Sequence, residues 1–178
     1  MTKSLVTYFS RTGHTQRVAT EIATLIGADL EPIVEQRSRK GVFGYLRSGR
    51  DAYKKLIVPI EPSRTDPAAY ELVILGTPVW AGSISAPVRA YVAAHKQKLG
   101  RIALFCTQGG SGGPKVLREL AELIGAVPAA TLVINEKALK SGTYADELAN
   151  FVKSISPSSV PGESALGSAE RRASASGK

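Results

Sequence analysis

Apolar residues fall along the chain in two kinds of pattern. Four short runs, Ser4 to Phe9, Leu72 to Gly76, Ile102 to Cys106 and Thr131 to Ile134, are nearly continuously apolar and rich in β-branched residues. Such runs predict strands of a parallel sheet covered on both faces, because a strand buried on both sides has no polar face to alternate with. Between the runs, apolar positions recur with a helical period. They are Val18, Ile22, Leu25 and Ile26; Val88, Tyr91, Val92 and His95 after Pro87; Leu117, Leu120, Ala121 and Ile124 after Pro114; and Leu148, Phe151, Val152 and Ile155 after Thr143. The prolines suit a first helical turn, Gly125 suits a C-terminal stop, and Thr143 with Asp146 approximates a capping box.

A further short strand, Asp29 to Val34, contains Pro32, which donates no ladder hydrogen bond and so belongs at a sheet edge. Strand and helix therefore alternate five times. This predicts a doubly wound α/β domain with a five-stranded parallel sheet in the order 2-1-3-4-5, right-handed crossovers and helices on both faces. That order makes the second strand an edge, as Pro32 asks. The folded domain is expected over residues 1–155. Residues 156–178, rich in serine, alanine and glycine, bury too little to offset their own ordering entropy and predict a disordered tail.

In this topology a ligand belongs in the crevice at the carboxyl ends of strands 1, 3 and 4, where the strand order reverses. Three loops of unusual composition leave those ends. After strand 1 comes Ser10-Arg11-Thr12-Gly13-His14-Thr15; after strand 3, Thr77-Pro78-Val79-Trp80-Ala81-Gly82; after strand 4, Thr107-Gln108-Gly109-Gly110-Ser111-Gly112-Gly113. The first loop opens a helix, whose leading amides lack internal partners and carry the positive end of the helix dipole; its three hydroxyls add donors for an anion. Trp80, the only tryptophan, is placed to lie against a planar ligand, and the glycines of the third loop let main-chain amides come close to it. Read alone, each feature has a plainer meaning: a capping threonine, a packing tryptophan, a flexible turn.

Composition narrows the chemistry. Of 178 residues 43% are apolar, enough for one domain with one core, and no apolar run approaches the roughly 18 residues that cross a bilayer. The chain reads as cytoplasmic. A single cysteine, Cys106, and two histidines, His14 and His95, leave no metal site, and Cys106 at the end of a buried strand reads as a small core hydrophobe. No catalytic residue is assigned; His14 reads as a helix-start residue beside the anion loop. The loops also fail other templates. Around Gly109 to Lys115 the lysine is followed by Val116 and not by a hydroxyl residue, so there is no P-loop, and Lys115 also interrupts a dinucleotide glycine fingerprint. Gly112 stands where a phosphatase loop begun at Cys106 needs arginine, and Gly76 where a phospho-acceptor domain needs aspartate.

With its three loops at the ends of these strands, the sequence over residues 3–155 resembles the flavodoxin-like flavoprotein family. The pattern Ser10-x-Thr12-Gly13-x-Thr15 is similar to that family's FMN phosphate loop, and Thr77 to Gly82 resembles the loop flanking its isoalloxazine ring. The resemblance implies FMN as cofactor. Its phosphate would be held by Ser10, Arg11, Thr12, Gly13, His14 and Thr15, its ring stacked by Trp80 within Thr77, Pro78, Val79, Ala81 and Gly82, and its pyrimidine edge approached by Thr107, Gln108, Gly109 and Gly110. The third loop lacks the second aromatic residue with which electron-carrying flavodoxins usually sandwich the ring, and strand 5 has no long insertion, as in the short-chain form.

Charge adds one more feature. The formal charge is +8, whereas carrier flavodoxins are typically acidic. Residues 35–55 hold seven basic residues, Arg37, Arg39, Lys40, Arg47, Arg50, Lys54 and Lys55, against Glu35 and Asp51. Residues 41–57 carry Val42, Phe43, Leu46, Tyr53, Leu56 and Ile57 among the charges and are expected to form an amphipathic crossover helix whose basic face is either simply solvated or turned to a partner. Residues 37–55 would suit an acidic redox protein, an anionic surface or the phosphates of a pyridine nucleotide; interleaved exposed aromatics are lacking, so nucleic acid is not expected. The expected function is an FMN-dependent oxidoreductase reducing quinone-like acceptors with NAD(P)H, with an electron-transfer flavodoxin serving protein partners as the alternative.

Overall fold

The computed structural model describes residues 3–36, 50–51 and 54–156. In chain order these form β1 (Ser4–Tyr8), α1 (His14–Ile26), β2 (Asp29–Pro32), a 3-10 turn at Pro67–Ala69, β3 (Leu72–Trp80), β4 (Ser83–Ile84), α2 (Ala86–His95), β5 (Arg101–Gln108), α3 (Gly113–Ile124), β6 (Thr131–Asn135), α4 (Glu136–Ser141) and α5 (Ala145–Ile155). The strand order is β2-β1-β3-β5-β6, with every neighbour parallel. This is the expected 2-1-3-4-5 order, and Pro32 lies on the edge strand, opposite Tyr8. The tail beyond Ser156 lies outside the described residues, as does most of the basic crossover; Arg50, Asp51, Lys54 and Lys55 are the basic segment's described part.

Alternation along each strand divides the apolar residues between two cores. On one face Val6, Ile74, Phe105 and Ile134 pack with Val18 and Ile22 of α1 and with Leu148, Phe151 and Ile155 of α5. On the other face Leu75, Leu104 and Cys106 pack with Val88 and Val92 of α2 and with Val116, Leu117 and Leu120 of α3. The near-continuous apolar runs follow from this: successive residues face different cores, and both cores are apolar. Leu25 departs from the expected helical stripe and is 59% exposed. Gly76 is fixed by packing rather than by turning, because a Cβ there would lie 2.1 Å from Cζ of Phe105.

Three local features differ from expectation. β3 does not stop at Gly76 but runs on through Thr77 to Trp80 and turns back into β4, so the second loop is a β-hairpin. Its turn residues Ala81 and Gly82 both have positive φ, 47° and 69°, as a tight two-residue hairpin turn requires. Thr143 does not cap the last helix: α5 begins at Ala145 after Tyr144, and the Thr143 hydroxyl pairs with that of Ser141. The short α4 stands before it, capped at Asn135, whose side chain accepts from the Lys137 amide, and ended by left-handed Gly142.

Candidate functional site

The loop after β1 is arranged by its own first hydroxyl. Ser10 Oγ accepts from the Gly13 amide at 3.1 Å, and Gly13, the residue before α1, has φ 91°, in the left-handed region where a side chain is strained. No side chain caps α1 and its first turn has no acidic residue, so the leading amides of a 13-residue helix face the loop with their positive end. An ideal Cβ at Gly13 meets nothing within 4 Å: there is room on the outer side of the turn. Thr12 is exposed, and Ser10 and Arg11 are half-buried. Thr15 is different. It is buried, and its hydroxyl lies 2.8 Å from that of Thr107, tying the first loop to the end of β5.

The hairpin carries Trp80. Its ring meets Phe9 edge-on, centroids 5.4 Å apart and planes at 86°, so one indole edge is held by the residue following β1 and the ring stays half-buried. Thr77 is fully buried; its hydroxyl lies 3.0 Å from Ser85 Oγ and accepts from the Ser85 amide at 3.2 Å, which pins the return strand. Beneath the turn, Arg89, 7% exposed, donates to Ser83 Oγ at 3.3 Å and to Glu119 at 3.1 Å, and Lys55 reaches the same carboxylate at 3.1 Å. Burial pushes the Glu119 carboxyl up, but the hydrogen bonds from Lys55 and Arg89 outweigh it and hold it below the usual carboxylate range.

The loop after β5 is shaped from inside. Gln108 Oε1 accepts from the Gly113 amide at 2.7 Å, capping α3, and Gly113 has no room for a side chain because a Cβ would lie 2.5 Å from Val133 Cγ1. Asn135 donates to the Gly110 carbonyl at 3.3 Å, while Gly109 and Gly110 themselves are exposed. Gly112, at φ 105°, brings this loop against the hairpin: its Cβ would lie 3.7 Å from Gly82 Cα. Cys106 is fully buried, and burial pushes its thiol up to about 12, which removes it as a nucleophile.

The three loops therefore meet at one end of the sheet. Within them Thr12, Gly109 and Gly110 are exposed and Ser10, Gly13 and Trp80 half-buried, whereas Thr15 and Thr107 join two of the loops through their hydroxyls and Thr77 and Gln108 brace their own. Pro78 and Val79 are strand residues carrying the hairpin. Two participants had no sequence signal. Glu136, the first residue of α4, places a carboxylate oxygen 3.2 Å from His14 Nδ1 and lies 3.5 Å from the Cβ position of Gly109. It sits in a six-residue helix too short to show a period. Glu119 with Arg89 is the other; on helical period alone both read as solvated surface.

An uncapped helix start with hydroxyls and no acidic first turn, a tryptophan on an adjacent hairpin and an exposed glycine pair fit a ligand with a phosphate at one end and a planar ring at the other. FMN is such a ligand.

Comparison with known proteins agrees. No curated protein sequence matches the chain at significance. Among solved structures, a flavoprotein of Lactobacillus acidophilus NCFM in complex with FMN superposes with a TM-score of 0.65 at 20% identity, covering 80% of this chain and 99% of that one. The two-electron reduced flavodoxin of Megasphaera elsdenii gives 0.54 at 20% identity, covering 86% and 99%. A flavodoxin, WrbA-like protein of Agrobacterium tumefaciens gives 0.50 at 19% identity, covering 86% and 98%. At these identities the likeness establishes the fold. A family model described as flavodoxin matches residues 3–155, and the chain belongs to the flavodoxin family.

Proposed function

We propose that this protein is an FMN-dependent oxidoreductase that takes electrons from NAD(P)H and passes them to a quinone-like acceptor. The phosphate is held by the α1 amides with the hydroxyls of Ser10 and Thr12; Trp80 covers one face of the ring; the exposed Gly109–Gly110 segment offers main-chain groups to its edge. The observation that carries the reading is the asymmetry of this cradle. One side has an aromatic side chain fixed against Phe9. On the opposite loop the exposed residues are Gly109, Gly110 and Ser111, none of which carries a ring. An uncovered face admits small molecules in turn.

The bound flavin supplies the two-electron redox centre that the chain's own side chains lack. Per turnover a dinucleotide gives up a hydride and leaves as NAD(P)+, and a quinone gains two electrons and two protons to leave as hydroquinone, the second proton coming from solvent. The buried Cys106 stays a thiol throughout. Family membership itself favours a second reading, an electron carrier between proteins. Steady NADPH or NADH oxidation by the purified, FMN-loaded protein with a soluble quinone as sole acceptor separates the two. Turnover is expected, and its absence with both nucleotides would favour the carrier.

A further inference from the structure

Beside the hairpin turn lies a cavity of about 490 Å³, lined by Ala81, Gly82 and Ser83 of the hairpin, by Lys55, and by Lys115, Arg118, Glu119 and Glu122 of α3. Its size falls in the ordinary range for small-molecule sites. Its charge is organised. Glu119 at its base is matched twice, by Arg89 from beneath, with 8% of its side chain exposed, and by Lys55 from the rim, with 64% exposed. Four cations thus meet two carboxylates, Glu119 and Glu122. Neither Lys115 nor Arg118 has an ion pair among the described residues, so both are left to face a ligand. A carboxylate paired with two cations does not repel an incoming anion, and two unpaired cations on a concave wall focus positive potential into it.

The cavity is also tied to the redox site. Ala81 and Gly82 belong to the turn that carries Trp80, and Gly112, at the start of α3, abuts Gly82. A molecule anchored by its anionic part at Lys115 and Arg118 extends toward the uncovered crevice. We infer that this cavity binds the phosphate groups of a pyridine dinucleotide, with Lys115 and Arg118 as the anion contacts and Glu119 as the residue that positions the rim. The inference rests on the NAD(P)H-dependent reading above and adds where and by which charges the nucleotide is held. A concave site a few hundred Å³ in volume suits a nucleotide better than the flat, wide patch that a docking protein needs. The shared chemistry is phosphate; it comes either from the pyrophosphate common to both nucleotides or from the 2′-phosphate of NADPH alone.

Isothermal titration of the FMN-loaded protein with NADP+ and with NAD+, in parallel with steady-state NADPH and NADH oxidation, tests this. The variants are Lys115→Ala/Arg118→Ala and Glu119→Gln. In the double variant, NADP+ affinity falls at least about tenfold and the KM for NADPH rises in step, with kcat little changed, because both charge-assisted contacts to phosphate are removed. A loss shared equally by NAD+ assigns the contact to the pyrophosphate, and a loss confined to NADP+ assigns it to the 2′-phosphate. Glu119→Gln weakens both nucleotides less than the double variant and leaves FMN affinity unaltered. Wild-type affinity in the double variant overturns the inference while leaving the oxidoreductase reading intact. A wild-type protein that binds neither nucleotide but associates with an acidic redox protein overturns the inference and the NAD(P)H-dependent reading together. Nucleotide binding lost in the double variant, without turnover by the wild type, instead defeats the oxidoreductase reading and keeps the site.

Discussion

The loop between β1 and α1, proposed to hold the phosphate, and the hairpin rim are built by opposite means. The loop between β1 and α1 collects its positive potential from main-chain amides, a left-handed glycine and hydroxyls. The rim collects it from side chains, with Arg89 and Lys55 converging on Glu119 and Lys115 and Arg118 standing beside them. Amides cannot be titrated or screened away and hold one ligand in one pose, as a resident cofactor requires. Long side chains at the surface are adjustable and salt-sensitive, as an exchanging co-substrate requires. If this division holds, changes in the loop should alter cofactor affinity and leave the rim's behaviour alone, and the reverse.

The loop provides the largest effect. Gly13→Val forces a β-branched side chain into φ 91° and turns the leading amides away, so FMN affinity should fall about 100-fold, in line with losing more than one charge-assisted hydrogen bond. Fluorescence titration of the apoprotein reads this directly. On the rim, Glu119→Gln leaves the buried Arg89 facing a neutral amide. Stability should drop by about 2 kcal/mol in urea unfolding, with FMN affinity unchanged. A loss of FMN affinity comparable to that of Gly13→Val would break the division.

The same carboxylate gives the rim a pH signature. Its folded-state pKa lies below the ordinary value, so its contribution is present above the ordinary carboxylate range and is lost as pH falls through the folded pKa. Unfolding free energy followed from neutral to acid pH should show that component in the wild type and not in Glu119→Gln. Smaller effects are expected where the two regions meet. Trp80→Leu removes ring stacking and the Phe9 contact and should weaken FMN by about fivefold to tenfold. Gln108→Ala removes the cap on Gly113 and should cost about 1 kcal/mol in thermal unfolding, with FMN affinity little altered.

Much of the fold was legible in the sequence because its signals are local and redundant. Unbroken apolar runs mark strands buried on both sides, Pro32 marks the edge, and Gly125 marks a helix end. The hairpin was not, since Pro78 and the tight Ala81–Gly82 turn read as loop. Only pairing of Pro78 with Thr107 on β5 and of Val79 with Ile84 on β4 shows that the strand continues. The candidate site divides in the same way. Residues acting through main-chain geometry, Gly13 and Gly109–Gly110, leave a compositional trace. Residues acting through distant partners do not: Thr15 meets Thr107 across 92 positions, and Arg89 meets Glu119 across 30. Nothing in a helical stripe distinguishes Arg89, buried under a hairpin, from an arginine in water.

The central claim is that the loop from Ser10 to Thr15 holds the phosphate of a resident FMN, and the comparison of FMN with riboflavin tests it most directly, since the two differ by that phosphate alone. Titration of the apoprotein, followed through quenching of flavin fluorescence, should give one tight FMN site and riboflavin binding weaker by at least about 100-fold, with the gap reduced in Gly13→Val. Equal affinity for the two flavins, or a gap that Gly13→Val leaves untouched, would contradict it.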